Sequence, residues 1–455
     1  LSWTRSGRVE TDLDNGYSIQ SYPDMTPVPV EVLRRGNGYN HVRFMAHAVP
    51  SLGYRCYAIV PARDHRGAEP STTAPGSLPL SNTIENAYYR VEFDPASGAI
   101  RSLYDKQLGK ELVSPSGPYR LNQYLYVSGG EGSQIVDLGS SLPLAKLTIT
   151  TSNPGRVTAL RKTSWGEILS YQTSGRDAPS IKTDVILFDR EKKIEFVDRL
   201  QKTPETHKEA VYFAFPFALR HPDFSYEIQN GYVDPSRDIL KGGCLEWFSV
   251  RHWVRVQGPE FSAAIVPVDA PLVSLGDINR GTWPAVFKPK SATIFSYAMN
   301  NYWHTNFGRV QGGNYTFRYV LTSGNRLAPA RLARFGREAM TPLEVRQVIP
   351  NDKYGNPPRP LSPAPASFLQ IDSPNVVVED WKRAEDGNGT IVRLVEVGGQ
   401  SAVARLTFPL FELRQAWETN AVEENQSKLT VDGHSVELRI KPHQIVTVRL
   451  ITDEP

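Results

Sequence analysis

Apolar residues recur at every second position in short runs along this chain, and turn-forming residues separate the runs, a pattern that predicts strands. Val28, Val30 and Val32 alternate, Val42, Phe44 and Ala46 share a face in HVRFMAHAV, and YRCYAIV at 54–60 supplies a third run. In ENAYYRVEFDPASGAIRSLYDK, Tyr89, Val91 and Phe93 alternate, the chain turns at Asp94 to Gly98, and Ile100 and Leu103 resume the pattern, which predicts a hairpin. Strand signals continue through KLTITTS, KTDVILFD, KKIEFVDRL, AVYFAFPFAL, FSVRHWVRVQG and FSAAIVPV with no helical period between them. Such a series predicts a large antiparallel sandwich.

From Phe295 to Ser323 the expected form is one hairpin: a strand, a polar and aromatic tip at Asn300 to Phe307, and a return through Gly312-Gly313. In the return strand Phe317, Tyr319 and Leu321 alternate with Arg318, Val320 and Thr322. One helix is expected near 329–340, closing the second domain. Pro329 suits its first turn, Leu332, Phe335 and Ala339 share a face, and Arg331, Arg334 and Arg337 are read as its solvated side. VVVEDWKRA, TIVRLVEV, ARLTFPL, KLTVDGHSVELRI and QIVTVRLIT then give a last set of strands, with Val446, Val448 and Leu450 inward and Thr447 and Arg449 outward.

These elements divide as a small β-domain at 1–62, a linker at 63–82, a large sandwich at 83–350, a Pro-rich linker at 351–366 and a β-domain at 367–455. The linkers are set by stretches rich in Pro, Gly, Ser and Thr that no core element tolerates. Composition agrees with the all-β reading, since 34 Gly, 35 Pro and only 4 Met favour short strands and turns. The net charge of +3 gives no field for nucleic acid or a membrane surface, and no apolar run has the length of a membrane span. The compartment stays open. Cys56 and Cys244 are expected as two buried thiols. Sequons stand at Asn314, Asn388 and Asn425, and a chain opening at Leu1 without a leader reads as a mature product, a cleaved chain or a fragment.

Candidate chemistry concentrates in the tip. Asn300, Asn301, Tyr302, Trp303, His304, Thr305 and Asn306 set amide donors and acceptors beside flat apolar faces, which suits a sugar with its hydroxyls and C–H face, and suits equally a packed corner between strands. Hydrolysis of a glycosidic bond ordinarily needs two carboxyl groups about 5–9.5 Å apart. Glu195, Glu209, Glu246 and Asp277 are candidates, with surface or hairpin charge as their plainer reading. Metal and nucleophile motifs such as HExxH, HxH, CxxC and GxSxG do not occur, and His41 and His47 lie too far apart along one strand to share an ion.

The tip, with LNQYLYVSGG at 121–130, IENAYYRVEFDPASGAIRSLYDKQLGKELV at 84–113 and the opening LSWTRSG, resembles the C-terminal half of glycoside hydrolase family 38, the zinc-dependent α-mannosidases. The resemblance covers essentially the whole chain and about half of the family's architecture. It implies three consecutive β domains: a small β-sandwich, a large galactose-mutarotase-like supersandwich and a C-terminal β-sandwich. It also implies that zinc, the nucleophile and the acid belong to an N-terminal catalytic barrel outside this chain, so that no cofactor or catalytic residue is expected here. The barrel and an α-mannoside glycan are the implied partners. Tyr124 matches the family's aromatic residue that reaches toward the sugar site, and Asn301, Trp303 and His304 are raised as lining residues. Two other readings stay open: a stand-alone carbohydrate-binding or scaffold protein, and a sugar epimerase or lyase built on the large sandwich, for which His252 and His304 are the histidines of interest.

Overall fold

A computed structural model describes residues 4–62, 76–129, 147–279, 282, 284–302, 308–348 and 361–452. Nearly all regular structure in it is antiparallel strand, and one α-helix, Pro329–Met340, stands among the described residues. None of the described helical structure is long and apolar enough to cross a membrane. The chain forms two compact units, one from Leu1–Pro75 with Pro329–Pro455 and one from Gly76–Ala328.

The larger unit is a sandwich of a ten-stranded and a six-stranded sheet, accompanied by a four-stranded one. In the four-stranded sheet the expected hairpin forms, Tyr89–Asp94 against Ala99–Asp105. Tyr89, Val91 and Phe93 are buried while Arg90 is exposed, as a period of two requires. At the centre of the ten-stranded sheet run Gly166–Gly175, Ala178–Phe188, Ile194–Lys202, Gly313–Gly324 and Ser262–Pro267. Their inward side chains Leu169, Ile181, Phe196 and Tyr319 meet Tyr126, Val211, Phe213 and Phe215 of the six-stranded sheet. Phe196 and Phe215 meet edge to face, and each such fully buried side chain contributes about 1.5–3 kcal/mol.

Strand Glu209–Pro216 is buried at every position, because the second face of the six-stranded sheet is covered as well. Leu125, Val127, Tyr212, Phe295 and Tyr297 form that second layer, with the Tyr212 and Tyr297 rings stacked 4.4 Å apart. The run AVYFAFPF lacks alternation for this reason, as strands covered on both sides do.

The stretch Phe295–Ser323 is not a hairpin. Thr293–Asn300 pairs with Glu209–Pro216 and Leu272–Leu275 in the six-stranded sheet, whereas Gly313–Gly324 pairs with Ile194–Lys202 and Ser262–Pro267 in the ten-stranded sheet. The chain changes layers between them, and each strand finds its partners at long sequence separation. Gly76–Ser77, read as linker, pairs as a short strand at the edge of the ten-stranded sheet.

In the other unit Tyr39–Pro50 pairs with both Thr4–Asp14 and Val30–Arg35, and Val42, Phe44 and Ala46 are buried with Val9, Leu13 and Ile19. A five-stranded and a four-stranded sheet enclose Val392, Leu394, Leu406, Leu438, Val448 and Leu450. Thr447 and Arg449 point away from that core yet are buried, and Arg449 donates to Asp386 and to the carbonyls of Asn388 and Glu423. Of the expected stripe the helix buries Leu332 and leaves Phe335 and Ala339 half-buried, and its other buried positions are Ala333 and Gly336. Ala333 packs on Val377, Val395 and Val397 of this unit. Arg334 and Arg337 are not a solvated face, since they bond the carbonyls of Ser373 and Pro374 and the carboxylate of Glu379. Cys56 and Cys244 are free thiols, each half-buried.

Candidate functional site

Antiparallel pairing brings seven strand ends to one end of the large sandwich. The register sets Ser128 opposite Glu209, Ala210 opposite Asn300, Gly175 opposite Ala178 and Lys202 opposite Gly313. The turn at Arg176–Asp177 and the loop Thr203–Lys208 therefore meet Gly129 and Asn301–Tyr302 there. Three ties hold the end together: Tyr302 Oη donates to the Gly129 carbonyl at 2.6 Å, Thr203 N–H donates to the Asp177 carbonyl at 2.9 Å, and Asn301 bonds across to Glu209 and His207.

Beneath this surface lies a charged cluster between the layers. Lys202 Nζ is 2.6 Å from Glu209 Oε1, and both side chains are almost wholly buried. Lys202 also donates to the Thr203 carbonyl at 3.0 Å, which supplies part of the hydrogen bonding that a desolvated ion pair needs. Tyr126 lies beside Glu209 and Asp177, and burial first, then the two carboxylates, pushes its phenol well above the usual range. The Arg176 guanidinium sits over the Tyr126 ring, 5.0 Å from its centroid, and covers the cluster from outside.

Tyr124 is 1% exposed, and its hydroxyl donates to the Arg176 carbonyl at 2.8 Å. Burial raises its pKa, and it packs against Gly175 so closely that a Cβ there would lie 2.6 Å from Cε1. Asn301 is also buried, its Oδ1 accepting the Glu209 N–H at 2.6 Å and its Nδ2 donating to the His207 carbonyl at 2.7 Å. Tyr124 and Asn301 thus come to the same end of the sandwich and support it from below. Trp303 and His304 lie outside the described residues. His252 is elsewhere, with Nδ1 3.0 Å from Glu227.

Of the carboxylates weighed from sequence, Glu209 is the one in this cluster. Glu246 is buried and accepts from Thr282, and Asp277 pairs with Lys290. Arg176, Glu205 and His207 carried no signal beyond membership of polar turns, and Lys202 none beyond the end of a strand, because the pairing that gathers them is non-local. Arg176 and His207, exposed above the buried pair, present a cation and an imidazole beside polar backbone, a set that can donate to and accept from the hydroxyls of a polyol.

The fold defines a class of all-β chains built from successive antiparallel sandwiches. Residues 84–267 match the glycosyl hydrolases family 38 C-terminal domain, and residues 375–448 match the family's C-terminal beta sandwich domain. The chain belongs to glycosyl hydrolase family 38, of which it carries the C-terminal β domains. An alpha-mannosidase from Enterococcus faecalis V583 has a similar fold, with TM-score 0.66 and 14% identity over 98% of this chain and 54% of that one. A protein in the glycosyl hydrolase family 38 from Enterococcus faecalis gives 0.67 and 14% over 99% and 56%. The chain spans about half the length of these structures. A galactose mutarotase-like protein from Lactobacillus casei aligns with 55% of the chain at TM-score 0.31 and 14% identity. No curated protein sequence matches the chain.

Proposed function

We propose that this chain is the C-terminal β portion of a zinc-dependent retaining α-mannosidase, supplying part of the wall of a mannoside pocket and packing against an N-terminal catalytic barrel. What carries the reading is the pair of family matches, taken with the alignment of nearly the whole chain to about half of an alpha-mannosidase structure. The polar end of the large sandwich is the part assigned to the wall, with Arg176 exposed at its surface and the buried Asn301 and Tyr302 holding it from below, and Tyr124 acts there by holding the Arg176 turn. A wall of this kind contributes by orienting substrate and excluding water. The division into a small sandwich, a large one and a last one is part of the same proposal, with the large one taking in Gly76–Ser77 and ending before the helix Pro329–Met340, which packs within the other unit.

Among the described residues no three His, Cys, Asp or Glu side chains gather as a metal centre requires. The described residues do not fit a zinc site, and zinc is assigned to the barrel. The test measures hydrolysis of an aryl α-mannoside and bound zinc for the chain alone and for the chain combined with a family 38 catalytic barrel. The expected result is no turnover alone and turnover on combination. Turnover by the chain alone that tracks zinc and stops with a chelator would overturn the reading. Saturable mannoside binding with no gain in activity on combination would replace it with a carbohydrate-binding protein.

A further inference from the structure

The loop Thr203–Lys208 carries an arrangement that its role as a connection does not require. One oxygen of Glu205, Oε1, accepts the backbone N–H groups of Thr206 at 2.6 Å and His207 at 2.9 Å and lies 2.6 Å from His207 Nδ1. These donors, the His207 N–H foremost, hold the Glu205 carboxyl down to about 2, so it remains an acceptor at all ordinary pH. From below, Asn301 Nδ2 donates to the His207 carbonyl at 2.7 Å, and Thr203 N–H is bonded to Asp177. From the side, Pro204 packs so tightly on Gly312 that a Cβ at 312 would lie 2.5 Å from its Cγ. The loop is fixed on three sides. Yet the His207 side chain is 86% exposed.

An imidazole whose Nδ1 is committed to a carboxylate has its orientation set, and its Nε2 is left for a partner outside. Little rotamer freedom remains to be lost when that partner binds. We infer that His207, positioned by Glu205, is a glycan-binding residue whose Nε2 hydrogen-bonds a hydroxyl of a neutral α-mannoside at the polar end of the large sandwich. The inference rests on the mannoside reading given above. Charge favours a neutral ligand over an anion, because the charges at this end are matched: Glu205 faces the imidazole, Glu209 is paired with Lys202, and Asp177 lies 3.8 Å from the Arg176 guanidinium. A single ring nitrogen without further ligands does not fit a metal ion.

The test uses this chain labelled with ¹⁵N, titrated with methyl α-mannoside and an α-linked mannobiose, and followed through the long-range ¹H–¹⁵N correlations of the imidazoles. The resonance missing from His207→Ala identifies the ring. The expected result is a saturable shift at Nε2 of His207, with affinity weakened about three- to tenfold in His207→Ala, the range of one neutral hydrogen bond. Glu205→Gln keeps the loop's size and should weaken binding while displacing the unliganded ring resonance, which a purely structural role for Glu205 in the loop would not couple to affinity. Binding that is equal in wild type and His207→Ala would overturn the inference, as would no binding at all. Neither result touches the family reading, which stands or falls by the activity of the combined halves.

Discussion

Replacing Asp198 by asparagine should remove a large part of the pH dependence of the sandwich's stability. Asp198 lies on strand Ile194–Lys202, is fully buried, and points between the sheets. Its oxygens accept from Asn122 Nδ2 at 2.8 and 3.0 Å and from Thr183 Oγ1 at 2.6 Å, and no cation pairs with it among the described residues. Desolvation outweighs these donors and pushes its pKa up to about 7, against about 4 for an exposed aspartate. Below about pH 4 the carboxyl is protonated in folded and unfolded chain alike, and its stabilisation relative to the ionised state is fully present. Between pH 4 and 7 the unfolded chain ionises while the folded one keeps its proton, so stability falls with rising pH and then levels off. The shift of about three pH units amounts to about 4 kcal/mol in all, of which about 3 kcal/mol falls between pH 5 and 8. Asparagine at 198 carries no such dependence, although it adds a constant cost of about 1–3 kcal/mol where its amide meets the Asn122 amide. Because the two units need not unfold together, the assay is denaturant-dependent hydrogen exchange of peptides from Ile194–Lys202 in both proteins at pH 5 and 8. The variant should gain about 3 kcal/mol on the wild type across that interval. A difference between the two proteins that stays the same at both pH values would refute the argument.

Two further outcomes follow from particular contacts. Lys202→Met leaves Glu209 charged and buried without its partner, so it should cost about 3–5 kcal/mol in the same exchange experiment, and Lys202→Met with Glu209→Leu should cost much less than the two single changes together; strict additivity would show that the pair is not coupled. In the smaller unit His41 lies 2.9 Å from Asp12 and 3.2 Å from Glu10, which raise its pKa, the Asp12 bond first. It contributes stability that is fully present below about pH 6.5 and is lost as pH rises through its folded pKa, a window that an imidazole NMR titration would locate above the ordinary midpoint and that His41→Ala would abolish.

Local pattern went a long way in this chain. Alternation at Tyr89, Val91 and Phe93 with a turn at Asp94 to Gly98 determined a hairpin, because both strands and their turn lie within one short stretch of sequence. The all-β class followed in the same way, and the motifs at 84–113 and 121–130 pointed to the family that the matches at 84–267 and 375–448 establish. Pattern did not choose partners. A period of two tells which residues share a face, and says nothing of which strand lies alongside. Thr293–Asn300 and Gly313–Gly324, close in sequence, entered different sheets, one beside Glu209–Pro216 and the other beside Ile194–Lys202, strands distant from both along the chain. Likewise the helix turned Leu332, Ala333 and Gly336 inward, with Ala333 against Val377, Val395 and Val397, and its arginines found carbonyls and a carboxylate to bond. The end of the sandwich was decided at that same level. Sequence alone determined that Tyr124, Tyr126, Glu209 and Asn301 were strand and turn residues of an all-β chain. Tertiary pairing decided that they share one end with Arg176, Lys202, Glu205 and His207, because the hydrogen-bonded register between distant strands fixes which termini coincide in space.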